Sequence, residues 1–294
     1  MDYMELDLEK KIAKKDHLPQ SEAEWFETRK FNSEIISIGD YQIRCAFTDG
    51  DENNNLIIMS GGIPRDPERR KKLPLINKLY GHLALQLLDR KGSSVLYNQP
   101  ATGNSTGNWE EDTIKSRTEV LSGVVKYYHN RFGNNPEVSI IGTSAAGCMA
   151  INSVESLQAN GIKVKKLILL SPGAYPAEVE TLAYGEKFSD ILRKPWDIAK
   201  SSAFLQLEKY VTSGGSVLIS FFEADDPPIP ANIQLYYREL AEKLASNGGD
   251  ISVETIVGVG HNFRRIGSQE NKNIVDNDSI RKTAGLLINF LVGS

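Results

Sequence analysis

Apolar residues follow two patterns that alternate along the chain: short continuous runs, and longer stretches in which they recur at helical spacing. The short runs are typical of buried strands, and the longer stretches are typical of helices with one apolar face. The predicted strands are two within 34–50 joined at Gly39-Asp40, then 56–62, 93–100, 137–142, 165–173, 216–224 and 251–260. The predicted helices are 75–92 with Gly92 as C-cap, 112–133 with Asp112 as N-cap, 144–161, 231–249 and 279–293. This alternation predicts an α/β fold, with a mostly parallel central sheet flanked by helices.

The same patterns divide the chain into a charged N-terminal segment, 1–33, and one α/β domain, 34–294. The connection between the strands 165–173 and 216–224 is longer than a crossover requires. Apolar and aromatic side chains are scattered through it, namely Phe188, Ile191, Leu192, Trp196, Phe204, Leu205 and Tyr210. We predict that 175–213 is a small helical cap over the active site, since long insertions in compact domains are often lids. The alternative is a pair of helices that pack on the sheet.

Composition excludes several classes of protein. The 294 residues are 40% hydrophobic and 24% charged, with a formal net charge of −4, so no basic surplus favours nucleic acid. The two cysteines are far apart and lack metal-ligand spacing, and we expect both to be buried and reduced. Residues 1–16 carry charge throughout, and no apolar run approaches the ~20 residues of a membrane span. We expect a soluble, cytoplasmic protein without a metal or organic cofactor, and the oligomeric state stays open.

The stretch "SIIGTSAAGCMAI" (139–151) places a serine where a predicted strand turns into a helix. Ser144 lies in the pattern G-x-S-x-A-G, a variant of the G-x-S-x-G turn that exposes a nucleophile. Such a turn is tight, so Gly142 and Ala146 suit it, although Ala146 replaces the usual second glycine. A serine turn of small residues without a catalytic role is the alternative interpretation.

A serine nucleophile needs a base, and the base needs an acid that orients it. Of the four histidines, His261 is the candidate base because it follows the last predicted strand on a glycine-rich loop. The acid is expected in "EADDPPIP" (223–230), at the end of the strand 216–224. We favour Asp226, with Asp225 as the main rival, whereas Glu223 lies nearer the strand interior.

Acyl transfer also needs backbone N–H donors for the oxyanion. Ala145, directly after the nucleophile, is one candidate. The loop "SGGIPR" (60–65) follows an earlier strand, and its glycines allow close approach of the backbone. Gly62 or Ile63 would give the second donor, and we favour Gly62. An ordinary glycine turn is the alternative.

Five segments together resemble the α/β-hydrolase superfamily over residue 34 to the C-terminus. They are "SGGIPR", "NQPATGNSTG", "GTSAAG", "EADDPPIP" and "GVGHNF". The second is similar to a family loop that often carries Asp-x-x-Gly-x-Gly-x-Ser, with Asn98, Ala101, Gly103 and Ser105 at comparable places. The fourth is similar to the family's Gly-x-x-Asp-x-x-Val-Pro, which matches Asp226 to the triad acid, followed by Ile229 and Pro230. Glu223 stands for the glycine there, and "SGG" stands where many members have His-Gly.

The resemblance implies a serine hydrolase that cleaves a small-molecule carboxylic ester or thioester through an acyl-enzyme on Ser144. Acyl transfer to an acceptor other than water would use the same residues. A non-catalytic ligand-binding protein on the same scaffold is the alternative from another class.

Overall fold

Eight strands form one sheet in the computed structural model, which describes residues 19, 21–50, 55–64, 66–133, 135–193, 195–224, 229–261 and 276–293. The strands are β1 (Asn32–Ile38), β2 (Tyr41–Thr48), β3 (Asn55–Ser60), β4 (Ser93–Tyr97), β5 (Glu137–Thr143), β6 (Val164–Leu170), β7 (Ser216–Ala224) and β8 (Ile251–Gly260). Their order across the sheet is β1-β2-β4-β3-β5-β6-β7-β8, and β2 runs antiparallel to both of its neighbours. The pairs from β4 to β8 are parallel, so the carboxyl ends of these strands meet at one edge.

Helices cover both faces of this sheet. They are α1 (Glu22–Glu27), α2 (Pro67–Lys71), α3 (Lys78–Leu88), α4 (Ile114–Phe132), α5 (Ala145–Ala159), α6 (Glu186–Arg193), α7 (Ser202–Thr212), α8 (Ala231–Ser246) and α9 (Asn277–Val292). Side chains alternate between the faces of a strand. In β3, Leu56 and Ile58 join a core with α4, α5, α7 and α8, whereas Ile57 and Met59 join a second core with α1, α3 and α9. Burial on both faces explains the continuous apolar runs of the sequence.

The predicted turn at Gly39-Asp40 joins β1 to β2, and the pair Ile38–Tyr41 closes the ladder. Gly39 has φ +55°, a left-handed conformation that glycine adopts without a steric penalty. The hairpin therefore follows directly from its local sequence.

Two predicted helix caps are wrong. Thr113, not Asp112, is the N-cap of α4, and its side chain forms a reciprocal capping box with Ser116. Asp112 is instead buried, where it pairs with Arg117 at 3.0 Å and accepts a hydrogen bond from Tyr41 at 2.9 Å. An aspartate is a good cap in isolation, but here a buried guanidinium takes its carboxylate.

The predicted C-cap Gly92 lies past the end of α3, which stops at Leu88 with Asp89 as its C-cap. Lys91 has φ +63°, and the Gly92 amide donates to the Leu87 carbonyl at 3.0 Å. The chain thus makes a further turn after the helix before it enters β4.

The folded unit begins before residue 34, the predicted domain boundary. Trp25 in α1 is 1% exposed, and its ring centroid lies 6.0 Å from that of Phe31. A Cβ added to Gly81 would approach the Trp25 ring to 2.7 Å, so α1 packs tightly on α3. Residues 1–18 of the predicted charged segment lie outside the described residues.

The long connection 175–213 contains α6, α7 and two short 3₁₀ turns, Ala177–Val179 and Ile198–Lys200. Helix α7 buries Phe204, Leu207 and Tyr210 in the core that it shares with α5 and α8, so it is the crossover helix between β6 and β7. That 175–213 also forms a cap over the active site stays a prediction. Among the described helices, none is both long and apolar enough to cross a bilayer.

Candidate active site

The turn between β5 and α5 holds Ser144 at the carboxyl edge of the sheet. Ser144 has φ +57° and ψ −124°, and its side chain does not cap the helix that it precedes. A Cβ on Gly142 would lie 2.4 Å from the Ala146 carbonyl oxygen, and one on Gly147 would lie 2.7 Å from Pro172. The turn therefore tolerates no side chain at either glycine. A non-glycine residue at such a φ is strained, and strain of this kind is concentrated at functional sites.

Three backbone hydrogen bonds fix Ser144 in this conformation. Its amide donates to the Leu170 carbonyl at 2.9 Å. Its carbonyl accepts from the amides of Gly147 at 2.9 Å and Gly173 at 3.0 Å. The hydroxyl is thus carried by a rigid backbone that is tied to the end of β6.

The loop after β3 lies against the nucleophile. A Cβ added to Gly62 would come within 3.1 Å of Ser144 Cβ and 3.7 Å of Ser144 Oγ. Ala145 is the first residue of α5, and its amide has no partner within the helix at that position. The structure thus brings Gly62 and Ala145 together beside Ser144. Ile63, the alternative donor, packs against the core that contains α5.

His261 follows β8 at the same edge of the sheet. The residue before it, Gly260, is paired with Ala224 at the end of β7. The half-buried imidazole meets the Phe222 ring edge-on, with 6.0 Å between centroids. The histidine loop and the end of β7 are therefore neighbours.

The predicted acid, Asp226, and its rival Asp225 lie outside the described residues. Strand β7 ends at Ala224, so the chain enters this segment at the carboxyl edge. Glu223 is still in the strand, and its carboxylate accepts a hydrogen bond from the Gly258 amide at 2.7 Å. Glu223 therefore has a structural partner in β8, three residues before His261.

The loop after β4 is held by its own polar groups. Ser105 Oγ donates to the Asn98 carbonyl at 2.9 Å and accepts from the Arg44 amide at the same distance. Ala101 and Gly103 have φ +56° and +53°, which bends the loop back on itself. The four residues singled out by the family resemblance thus form one compact turn.

A row of aromatic rings runs from this loop toward the Ser144 turn. Trp109 stacks on Tyr184 with 4.5 Å between centroids, Tyr184 meets Phe188 at 5.0 Å, and Phe188 meets Tyr175 at 5.8 Å. A Cβ on Gly173, whose amide binds the Ser144 carbonyl, would lie 3.0 Å from the Tyr175 hydroxyl. The aromatic row, defined by Trp109, Tyr184, Phe188 and Tyr175, therefore borders the candidate site.

Beneath the aromatic row, Arg117 is fully buried. It pairs with Asp112, and its guanidinium lies 5.3 Å and 5.2 Å from the ring centroids of Trp109 and Tyr184. Burial raises the pKa of Asp112, and the charge of Arg117 opposes that shift. The Tyr184 amide also donates to the Asp112 carbonyl at 3.1 Å. These contacts attach the segment before α7 to the start of α4.

Sequence reasoning missed a network of buried hydroxyls behind Ser144. Tyr80 in α3 donates to the Ser60 carbonyl at 3.0 Å, and its oxygen lies 2.5 Å from Thr143 Oγ1. Ser60 Oγ donates to the Tyr97 hydroxyl at 3.0 Å and accepts from Gln99 Nε2 at 2.5 Å. Burial raises the pKa of Tyr80, so its hydroxyl remains protonated. The only hint in the sequence was polar residues at the ends of apolar strands.

Neither protein-family models nor curated proteins give a match to this chain. Solved structures do. An α/β hydrolase from Vibrio vulnificus is similar with a TM-score of 0.58 and 15% identity, over 90% of this chain and 82% of that one. An α/β serine hydrolase homologue from Coxiella burnetii gives a TM-score of 0.54 and 15% identity, over 88% and 97%. The thioesterase domain of the curacin biosynthetic pathway gives 0.51 and 12% identity, over 90% and 99%.

The chain has the α/β-hydrolase fold. At these identities the likeness establishes the architecture, and it confirms the fold class predicted from the sequence. In the α/β-hydrolase fold a nucleophile sits on a sharp strand-to-helix turn, and the triad residues follow in the chain order nucleophile, acid, histidine. Ser144 occupies such a turn here, and His261 follows a later strand at the same edge.

Proposed function

We propose that the protein is a serine hydrolase that cleaves a carboxylic ester or thioester through an acyl-enzyme on Ser144. The observation that carries the proposal is the geometry of the Ser144 turn. A serine is held at φ +57°, its hydroxyl is not used as a helix cap, and the backbone of Gly62 packs directly beside it. Backbone strain of this kind is concentrated at functional sites, which supports a catalytic role for the Ser144 hydroxyl.

In the proposed reaction, the Ser144 oxygen adds to the carbonyl carbon of the substrate while His261 takes the hydroxyl proton. The backbone amides of Ala145 and Gly62 donate to the oxyanion that forms. Collapse of this intermediate breaks the bond to the leaving alcohol or thiol, which receives the proton from His261. Water then attacks the acyl carbon while His261 takes its proton. The bond to Ser144 Oγ breaks, the acid is released, and His261 returns the proton to Ser144. In this proposal, the carboxylate of Asp226 orients the imidazole of His261.

The leaving group or the acyl group is proposed to be hydrophobic. The aromatic row lies beside the Ser144 turn, and aromatic side chains provide large apolar contact areas. The thioesterase domain of the curacin pathway shares the fold, which makes thioesters natural members of the test panel.

Labelling with a fluorophosphonate probe tests the proposal. We expect the wild-type protein to gain one adduct on Ser144, and Ser144→Ala to gain none. Ser139→Ala is the matched control, since Ser139 lies on the same strand but toward its amino end, and it should be labelled like the wild type. Equal labelling of wild type and Ser144→Ala, or no labelling of the wild type, would contradict the proposal. A panel of esters and thioesters of increasing chain length then tests the hydrophobic preference.

A further inference from the structure

One tyrosine hydroxyl joins the two backbone segments that form the proposed oxyanion site. Tyr80 Oη donates to the carbonyl of Ser60, since a carbonyl only accepts. The proton at the 2.5 Å contact with Thr143 Oγ1 therefore comes from the threonine. The single hydroxyl acts as donor toward β3 and as acceptor from β5.

Both hydrogen-bond partners of Tyr80 Oη lie close in sequence to the residues of the proposed site. Ser60 is the last residue of β3 and comes two residues before Gly62. Thr143 is the last residue of β5 and comes directly before Ser144. The parallel ladder between the strands ends with the pair Ser60–Gly142. The Tyr80 bridge joins the two strands at the point where this ladder ends.

Tyr80 is itself rigidly held. Its amide donates to the side chain of Asn77, the N-cap of α3, at 2.9 Å. The residue is 3% exposed within the core shared by α1, α3 and α9. From the other side, Tyr97 and Gln99 fix the side chain of Ser60. Through the hydrogen bonds of Tyr80, the packed helix α3 therefore holds both segments in place.

We infer that Tyr80 is a positioning residue, which sets the distance between the Gly62 amide and the Ser144 hydroxyl. This inference rests on the proposed function. Tyr80 contacts neither segment at its reacting atoms, so it acts through Ser60 and Thr143. Misplacement of catalytic groups by about 1 Å lowers rates by about 100-fold, so loss of the bridge reduces the rate of acylation more than substrate binding.

The first test replaces Tyr80 with phenylalanine, which removes the hydroxyl and keeps the ring. Tyr210→Phe is the matched control. Tyr210 is equally buried, and its hydroxyl donates to the carbonyl of Val164, at the opposite end of the sheet. For each variant we would measure the maximal rate and the half-saturation concentration of fluorophosphonate labelling at Ser144, together with Tm. We expect Tyr80→Phe to lower the maximal rate by about 10- to 100-fold with half-saturation within twofold of wild type. Tyr210→Phe should lower Tm alone.

A second pair of variants approaches the bridge from Thr143. Thr143→Val removes the hydroxyl that donates to Tyr80, whereas Thr143→Ser keeps it. We expect Thr143→Val to lower the maximal labelling rate by as much as Tyr80→Phe does. Thr143→Ser should keep this rate within threefold of the wild type. This pair of variants tests the positioning role even if Tyr80→Phe fails to fold.

The outcomes separate the two proposals. A labelled wild type whose rate survives in Tyr80→Phe, or equal rates for Thr143→Val and Thr143→Ser, would overturn the positioning role and leave the hydrolase proposal intact. Equal rate losses in Tyr80→Phe and Tyr210→Phe would also overturn it, because general destabilisation would explain both. An unlabelled wild type would overturn the hydrolase proposal and the positioning role with it.

Discussion

Gly62→Ala should slow the reaction at Ser144 although it keeps the proposed oxyanion donor. The new methyl group would lie 3.1 Å from Ser144 Cβ and 3.4 Å from the Thr143 carbonyl oxygen. Optimal carbon–carbon contacts begin at about 3.5 Å, so the loop that carries Gly62 and the turn that carries Ser144 must separate by about 0.4 Å. If 1 Å of misplacement costs about 100-fold, this displacement corresponds to about a sixfold slower rate.

The neighbouring glycine offers the matched control. A Cβ on Gly61 would meet nothing within 4 Å, and neither Gly61 nor Gly62 has a positive φ. Gly61→Ala therefore adds the same methyl group without contact with the nucleophile. Because alanine has less conformational freedom than glycine in the unfolded chain, the free energy of unfolding of this variant should rise by about 0.4–1 kcal/mol.

The assay compares kcat and KM for an activated ester with the rate of fluorophosphonate labelling and with Tm. We expect Gly62→Ala to remain folded but to react more slowly at Ser144. Gly61→Ala should react at the wild-type rate, with a slightly higher Tm. Equal rates for the two variants would refute the placement of Gly62 against Ser144.

Two further predictions concern stability. Lys166 donates to the carbonyls of Phe290 and Leu291 at the end of α9, so Lys166→Met should reduce the free energy of unfolding in urea by about 1–2 kcal/mol. Lys165→Met, which removes only a surface ion pair, should change it by less than about 0.5 kcal/mol, and equal effects would contradict the capping role. Burial raises the pKa of Cys45 from 9.0 to about 12. As pH rises, the thiol of the unfolded chain therefore loses its proton before the thiol of the folded protein does. The contribution of Cys45 to the free energy of unfolding is complete below pH 9 and is lost between pH 9 and about 12. Cys45→Ala should remove about 1.4 kcal/mol per pH unit from the alkaline decline in stability, and unchanged slopes in alkaline urea titrations would show that the thiol does not titrate in this way.

The sequence predicted those parts of the fold and site that local chemistry determines. Gly142 is required by its contact with Ala146, four residues further along the chain, so the small residues around Ser144 indicate the tight turn. The alternation of strands and helices predicted the parallel sheet, because each buried strand needs a helix to cover it. The hairpin at Gly39 follows from the same kind of local requirement.

The parts that could not be predicted depend on contacts between distant residues. Tyr80 and Thr143 are 63 positions apart, and nothing near either residue indicates that they meet. The local sequence around Asp112 predicts a helix cap, but its contacts with the buried Arg117 and with Tyr41 decide its role. Likewise, nothing in the local sequence of α7 indicates that it packs with α5 and α8 in one core.

The left-handed backbone at Ser144 has an evolutionary consequence. Glycine adopts φ near +57° without steric conflict, whereas other residues there sacrifice on the order of 1–3 kcal/mol of folding free energy. Mutation and selection for a sturdier protein alone would drift this position toward glycine. A serine at this position therefore lowers the stability of the fold relative to glycine, and this loss supports the proposal that its hydroxyl is used in the reaction.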